Sequence, residues 1–206
     1  MKESNMESAP NKIVTISQHV DMDTILEKLR EAKIPVDEYG RGTAKTVEHL
    51  LSEINEGEAV LTIDQDGKTH RTVGVVWVDV FCALSNGKIY RLKEDRQEFK
   101  DGRVKVRNLD SSIGEKMKPS ETTNEAIVRA LSEELGIVDI ETTYDSGYEE
   151  RTSYTDTFPG IESTYKMHKF AAIIPETAFT ADGYIENQHD KTNYYAWELI
   201  YNGNWP

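Results

Sequence analysis

The chain is nearly without cysteine. Cys82 stands alone among 206 residues, so no disulfide can close within it. Inside the apolar run VGVVWVDVFCAL the thiol reads as a small buried hydrophobe of a reducing compartment. Long apolar runs are also lacking: none approaches the roughly eighteen residues of a membrane-helix candidate. No apolar core of a secretory leader precedes Lys12. These absences make a soluble, cytoplasmic protein without membrane association the expectation. Basic residues are scarce, 24 Lys and Arg against 37 Asp and Glu, for a formal net charge of −13. Most of such a surface repels polynucleotides and anionic lipid, which argues against bulk nucleic-acid binding. An acidic protein that handles phosphates must gather its positive charge locally or use a metal. Internal repeats, low-complexity tracts and zinc, P-loop or dinucleotide-binding spacings are absent as well.

What is present suits a packed core. Hydrophobic residues make up 37%, with three Trp, ten Tyr and five Phe, and the length favours one main domain over two independent ones. Residues 1–11 are polar. Lys12 to Ile16 reads as a short strand. Asp21 or Asp23 can cap a helix to about Lys33, carrying Ile25, Leu26 and Leu29 and ended by Pro35. After a Gly40 to Gly42 turn, Thr43 introduces a second helix striped by Val47, Leu50, Leu51 and Ile54. Residues 1–57 therefore form a helical extension, which packs on the main domain, residues 58–206, or offers a homodimer face.

Strands are expected at Ala59–Ile63, Thr72–Leu84 and Lys88–Lys93, the last two joined by an Asn86-Gly87 hairpin turn. Val104 and Val106 alternate with charges after a turn at Asp101-Gly102. Further strands are expected at Val138–Tyr144, Thr164–Ile174 and Tyr194–Ile200.

The segment Gly114 to Ile137, GEKMKPSETTNEAIVRALSEELGI, concentrates the chemistry. Pro119 suits a helix entry and Ser120 an N-cap. Ile127, Leu131 and Leu135 recur at i, i+4, i+8, a stripe that faces a core. Glu121, Glu125 and Arg129 step by four and can pair along the helix. Glu133 and Glu134 point about 100° apart, so only one aims straight at a given ion. Gly136 closes the helix. Carboxylates and an arginine crowded at one helix end suit a divalent-metal and phosphate site.

This segment resembles the Nudix box, G-x5-E-x7-R-E-U-x-E-E-x-G-U with U aliphatic. Glu121, Arg129, Leu131, Glu133, Glu134, Gly136 and Ile137 fall in register. Two positions depart: the box glycine falls on Glu115, with Gly114 one residue early, and the Glu after the arginine is Ala130. The resemblance covers 24 of 206 residues. It implies an α+β fold, a Nudix-type α/β/α sandwich with a mixed β-sheet. It also implies hydrolysis of a nucleoside diphosphate linked to another group, or a related pyrophosphate. The cofactor implied is Mg²⁺ or Mn²⁺, which polarises the diphosphate and lowers the pKa of the attacking water.

By position, Glu133 and Glu134 become the metal-ligand candidates, with the backbone carbonyl of Glu115 as a further contact. Arg129 orients the helix glutamates by pairing with Glu121. Lys116 and Lys118, in the box loop, are placed to meet substrate phosphates, and Arg71, Arg91 and Arg107 are the other basic candidates. Ala130 removes one carboxylate of an i, i+3, i+4 triad. A replacement is sought downstream, at Glu149, Glu150, Glu162, Glu186, His189 or Asp190, with Glu186 ranked first as catalytic carboxylate and His189 second. His168 alternates with apolar residues and reads as a strand-face histidine. Two readings stand: a metal-dependent hydrolase weakened by Ala130, and an inactive Nudix-fold protein that binds a nucleotide or a protein partner. Structural ion pairing alone is the third.

Overall fold

The computed structural model describes residues 13–106, 111–140 and 142–202. Arg107, residues 1–11 and Lys12, read above from the sequence, lie outside these. The chain divides into two compact units, one reaching to Val73 with Arg151–Tyr165 added, the other formed by Gly74–Glu150 with residues from Lys166 onward. The α+β class expected from the sequence is what forms, a mixed sheet with, among the described residues, three α-helices.

In the first unit, β1 (Val14–Ile16) pairs antiparallel with β2 (Ala59–Ile63). Thr69–Val73, the start of β3 (Thr69–Ala83), pairs antiparallel with β2 in turn. Helix α1 (Met22–Glu31) starts where Asp21 accepts the Thr24 N–H at 2.7 Å. It ends before Pro35, which instead opens a 3-10 turn at Val36–Glu38. Helix α2 (Val47–Asn55) is capped by Thr46, not introduced by Thr43, and its capping box closes through His49. The apolar stripes of both helices meet: Ile25, Leu29, Leu50 and Ile54 are fully buried with Leu61 and Phe158 in one core. Arg71 is buried there too. Its guanidinium pairs with Glu53 and lies 5.1 Å from the Phe158 ring centroid, so it is not the surface cation expected from the sequence.

In the second unit the remainder of β3 pairs with β4 (Lys88–Phe99) and with β6 (Ile113–Lys116), both antiparallel. Leu84 N–H donates to Lys88 O at 2.8 Å across the Asn86-Gly87 turn, as expected. Strand β5 (Val104–Val106) pairs with β4. Strand β10 (Lys191–Asn202) lies between β4 and β9 (Tyr184–Asn187), antiparallel to both. Strand β8 (Glu162–Ile174) pairs with β3 and β7 (Thr142–Tyr154). Helix α3 (Thr123–Leu135) buries Ile127, Ala130 and Leu131 against Val76, Val78, Leu92 and Ala172. Cys82 is fully buried in the same cluster.

Three local expectations change. Gly114–Lys116, read as loop, belongs to β6, where a Cβ on Gly114 would stand 3.2 Å from the Trp77 ring. Ser120 is not the N-cap: it sits at φ +63° in the entry turn, and Thr122 caps α3. The strand expected from Val138 begins only at Thr142 and then runs on to Tyr154, taking Glu149 and Glu150 out of a loop.

Candidate functional site

Helix α3 starts on a complete capping box. The Thr122 N–H donates to Glu125 at 2.8 Å and the Glu125 N–H returns to Thr122 Oγ1 at 3.3 Å. These bonds satisfy donors that a helix start otherwise leaves open. The helix stops where Gly136 turns left-handed at φ +69°, and Ile137 N–H reaches back to Leu131 O at 3.1 Å. Both ends are therefore fixed, and with them the side chains of the last two turns.

Arg129 is the hub of the outer face. Its Nε donates to Glu121 Oε1 at 2.8 Å and its Nη2 to Glu121 Oε2 at 3.0 Å, a bidentate pair. Nη1 donates to Glu115 at 2.7 Å and to Glu133 at 3.2 Å, and Nη2 also reaches the Lys116 carbonyl at 2.8 Å. The expected pairing with Glu121 is present. The Glu115 side chain, assigned nothing from the sequence beyond its carbonyl, also joins the guanidinium and ties β6 to α3. Hydrogen bonds from Arg129 hold the Glu121 carboxyl below the usual glutamate range. The same bonds to Glu121 and Glu115 hold Arg129 charged. Glu133 keeps more than half of its side chain exposed.

Glu134 faces the other way, consistent with its 100° offset from Glu133. It is half-buried and accepts the Tyr195 hydroxyl at 2.5 Å. Burial pushes its carboxyl up to about 8, against the Tyr195 hydrogen bond, and the charges of Glu186, Glu115 and Glu94 add to the rise. Ala130, one turn earlier on the same face, is fully buried in the apolar cluster.

Cross-strand register assembles the rest of this face. Tyr195 stands opposite Glu94 on β4 and Tyr184 on β9. Asn193 stands opposite Gln97 on β4 and Glu186 on β9. A register shift between Tyr194 and Tyr195 puts an extra β4 residue against one on β10, so Glu94 and Gln97, three apart, both turn inward. Gln97 Nε2 donates to Glu94 at 2.7 Å. Glu186 is held at both oxygens, by Gln188 at 2.7 Å and by Asn193 Nδ2 at 2.6 Å. Glu94, Gln97 and Asn193 are all buried.

The remaining expected residues fall elsewhere. Lys116 lies on β6; the Lys118 N–H donates to Glu121 at 2.9 Å. Arg91 pairs with Asp79 at 2.6 Å. Glu149 pairs with Lys169 at 2.6 Å, Glu150 accepts the Tyr148 hydroxyl, and Glu162 meets Lys68 and His70. His189 and Asp190 are exposed between β9 and β10. His168 lies on β8 with its ring 4.9 Å from that of Tyr148, the strand-face histidine expected. Of the proposed replacements for the missing carboxylate, only Glu186 contributes to the raised Glu134 pKa.

No family model matches the chain, and no curated protein matches it in sequence. In fold it is similar to solved structures of Nudix type. The Caenorhabditis elegans Ap4A hydrolase is 16% identical over 61% of this chain and 79% of that one, with a TM-score of 0.34. A MutT/nudix family protein from Enterococcus faecalis is 14% identical over 64% of this chain and 45% of that one, at 0.39. The NUDIX domain of Shewanella oneidensis NrtR, solved with ADP ribose, is 10% identical over 63% and 73%, at 0.37.

Proposed function

We propose that this chain is a Nudix-like, metal-dependent hydrolase acting on a nucleoside diphosphate linked to another group, or on a related pyrophosphate. The observation that carries the reading is the half-buried carboxyl of Glu134 at the α3 terminus, held against the Tyr195 hydroxyl and raised by burial and by the charges of Glu186, Glu115 and Glu94. Like charges concentrated in a partly desolvated place are costly unless a cation meets them. Oxygen donors of this kind fit a hard divalent ion such as Mg²⁺ or Mn²⁺. Among the described residues no three or more His, Cys, Asp or Glu side chains form a ready cage. A Mg²⁺ ion there would take one or two carboxylates and keep waters and substrate phosphates for the rest. When bound, the ion would screen the diphosphate and acidify a water.

The residues of the chain divide the remaining work. Glu134 is the principal ligand, with Glu133 and the Glu115 carbonyl as the further candidates. Arg129 positions the helix end against β6 through Glu115, Glu121 and the Lys116 carbonyl. Glu186, fixed at both oxygens, is the carboxylate placed to accept a proton. Lys116, at the end of β6, and Lys118, in the loop after it, would supply positive charge for phosphates, against the net charge of the molecule.

The second reading, a nucleotide-binding or partner-binding protein without turnover, is favoured by one feature. Ala130 is sealed in the core, so no carboxylate can stand there without displacing apolar packing. A panel of nucleoside triphosphates, dinucleoside polyphosphates, nucleotide sugars and NADH, assayed with Mg²⁺ and Mn²⁺, separates the two. Metal-dependent release of phosphate or nucleotide that collapses in Glu134→Gln supports the hydrolase. A nucleotide that raises the melting temperature without any release supports the binding protein.

A further inference from the structure

Asn193 is 4% exposed, and among the described residues its Oδ1 has no hydrogen-bond partner. A buried amide oxygen left unpaired costs about 1–3 kcal/mol, so the position calls for a donor or a cation. The amide cannot simply be turned round. Its Nδ2 already donates to Glu186 at 2.6 Å, and the reversed amide would set two acceptors against each other. The unpaired oxygen thus belongs to the inner face, where register places Gln97 on one side of Asn193 and Glu186 on the other, with Tyr195 two residues along. Tyr195 holds Glu134 at 2.5 Å, and Gln97 holds Glu94 at 2.7 Å. All of these groups present oxygen.

We propose that Asn193 is a ligand of the divalent ion, its Oδ1 supplying from β10 the oxygen that Ala130 fails to supply from α3. This rests on the metal-dependent reading above. An amide carbonyl is an ordinary oxygen ligand for Mg²⁺, Mn²⁺ or Ca²⁺ and adds no charge. A site already crowded with carboxylates gains a donor without gaining repulsion. The same side chain then serves twice: the oxygen meets the ion while the nitrogen fixes Glu186 beside it.

The probe is Mn²⁺ alone, titrated into the full chain and read by the loss of the free-ion electron paramagnetic resonance signal, with no substrate present. Asn193→Leu, close in volume, is expected to weaken Mn²⁺ binding about tenfold or more. Its melting temperature in chelator should stay close to that of the wild type, since removing the unpaired buried oxygen offsets the lost Nδ2–Glu186 hydrogen bond. Asn193→Asp keeps an oxygen but loses the donor to Glu186, so it is expected to bind Mn²⁺ more tightly than Asn193→Leu. Unchanged Mn²⁺ affinity in Asn193→Leu, with Glu134→Gln still impaired, overturns this assignment and leaves the metal-dependent reading standing. So does Mn²⁺ binding by a normally folded Asn193→Asp that is no tighter than that of Asn193→Leu. Failure of the wild type to bind Mn²⁺ overturns both.

Discussion

Glu134 carries a proton that an unfolded glutamate would have lost. Its carboxyl titrates at about 8, against 4.5 for the free side chain, chiefly through burial. Between those values the folded chain binds more protons than the unfolded one. Stability therefore falls as pH rises from about 4.5 to about 8, and is level beyond. In chelator, the unfolding free energy of the wild type should drop across that window relative to Glu134→Gln. The difference should be on the order of 2 kcal/mol, discounted for partial exposure. A parallel pH dependence in the two proteins would contradict the assignment. Arg129 makes the opposite case, a cation among three carboxylates. Arg129→Ala leaves Glu115, Glu121 and Glu133 to repel one another, and should cost about 2–4 kcal/mol at neutral pH, measured by urea unfolding. High salt should recover part of that loss.

At the scale of elements, β9 and β10 bring Glu186 and Asn193 to the helix. Their approach depends on Gly183, at φ +78°, where a Cβ would fall 1.9 Å from the Tyr195 carbonyl oxygen. Gly183→Ala must push β9 away from β10 or distort both. It should lower stability by about 2 kcal/mol or more and weaken Mn²⁺ binding without touching any ligand, as differential scanning and metal titration would show together. The elements themselves were unevenly legible. Strand β3, the Asn86-Gly87 hairpin and the three helices follow from periodicity and turn chemistry, and the box spacing pointed to Glu121 as the partner of Arg129. Strand β6 escaped because Gly-Glu-Lys carries no alternation. Its strand character comes from pairing with Val75–Val78, a tertiary cause. Tyr195, Glu94, Gln97 and Asn193 escaped for the same reason. They converge through register and one irregularity in it, which no local pattern marks: Glu94 and Gln97, three apart, share a face only because of that shift.

Across the whole molecule, a net charge of −13 opposes any polyphosphate. Encounter with an anionic substrate should then be hindered at low ionic strength and eased by salt. At fixed free Mg²⁺, kcat/KM is expected to rise a few-fold between about 10 and 150 mM monovalent salt, as the Debye length shortens from roughly 30 to 8 Å. A fall over the same range would mean that Lys116 and Lys118 dominate the local field. Net charge and the absence of apolar runs were readable from composition alone. The division into two units was not, because β3, β7 and β8 each run through both and no linker marks the boundary.

The metal-dependent reading requires a divalent ion on the inner face of the α3 terminus, against Glu134. An anomalous difference map from crystals grown with Mn²⁺ would locate that ion. A peak is expected within about 2.0–2.6 Å of a Glu134 carboxylate oxygen, with Asn193 Oδ1 in the same shell. A map with no peak there, or with Mn²⁺ only on the exposed Glu133 side of the helix, would contradict it.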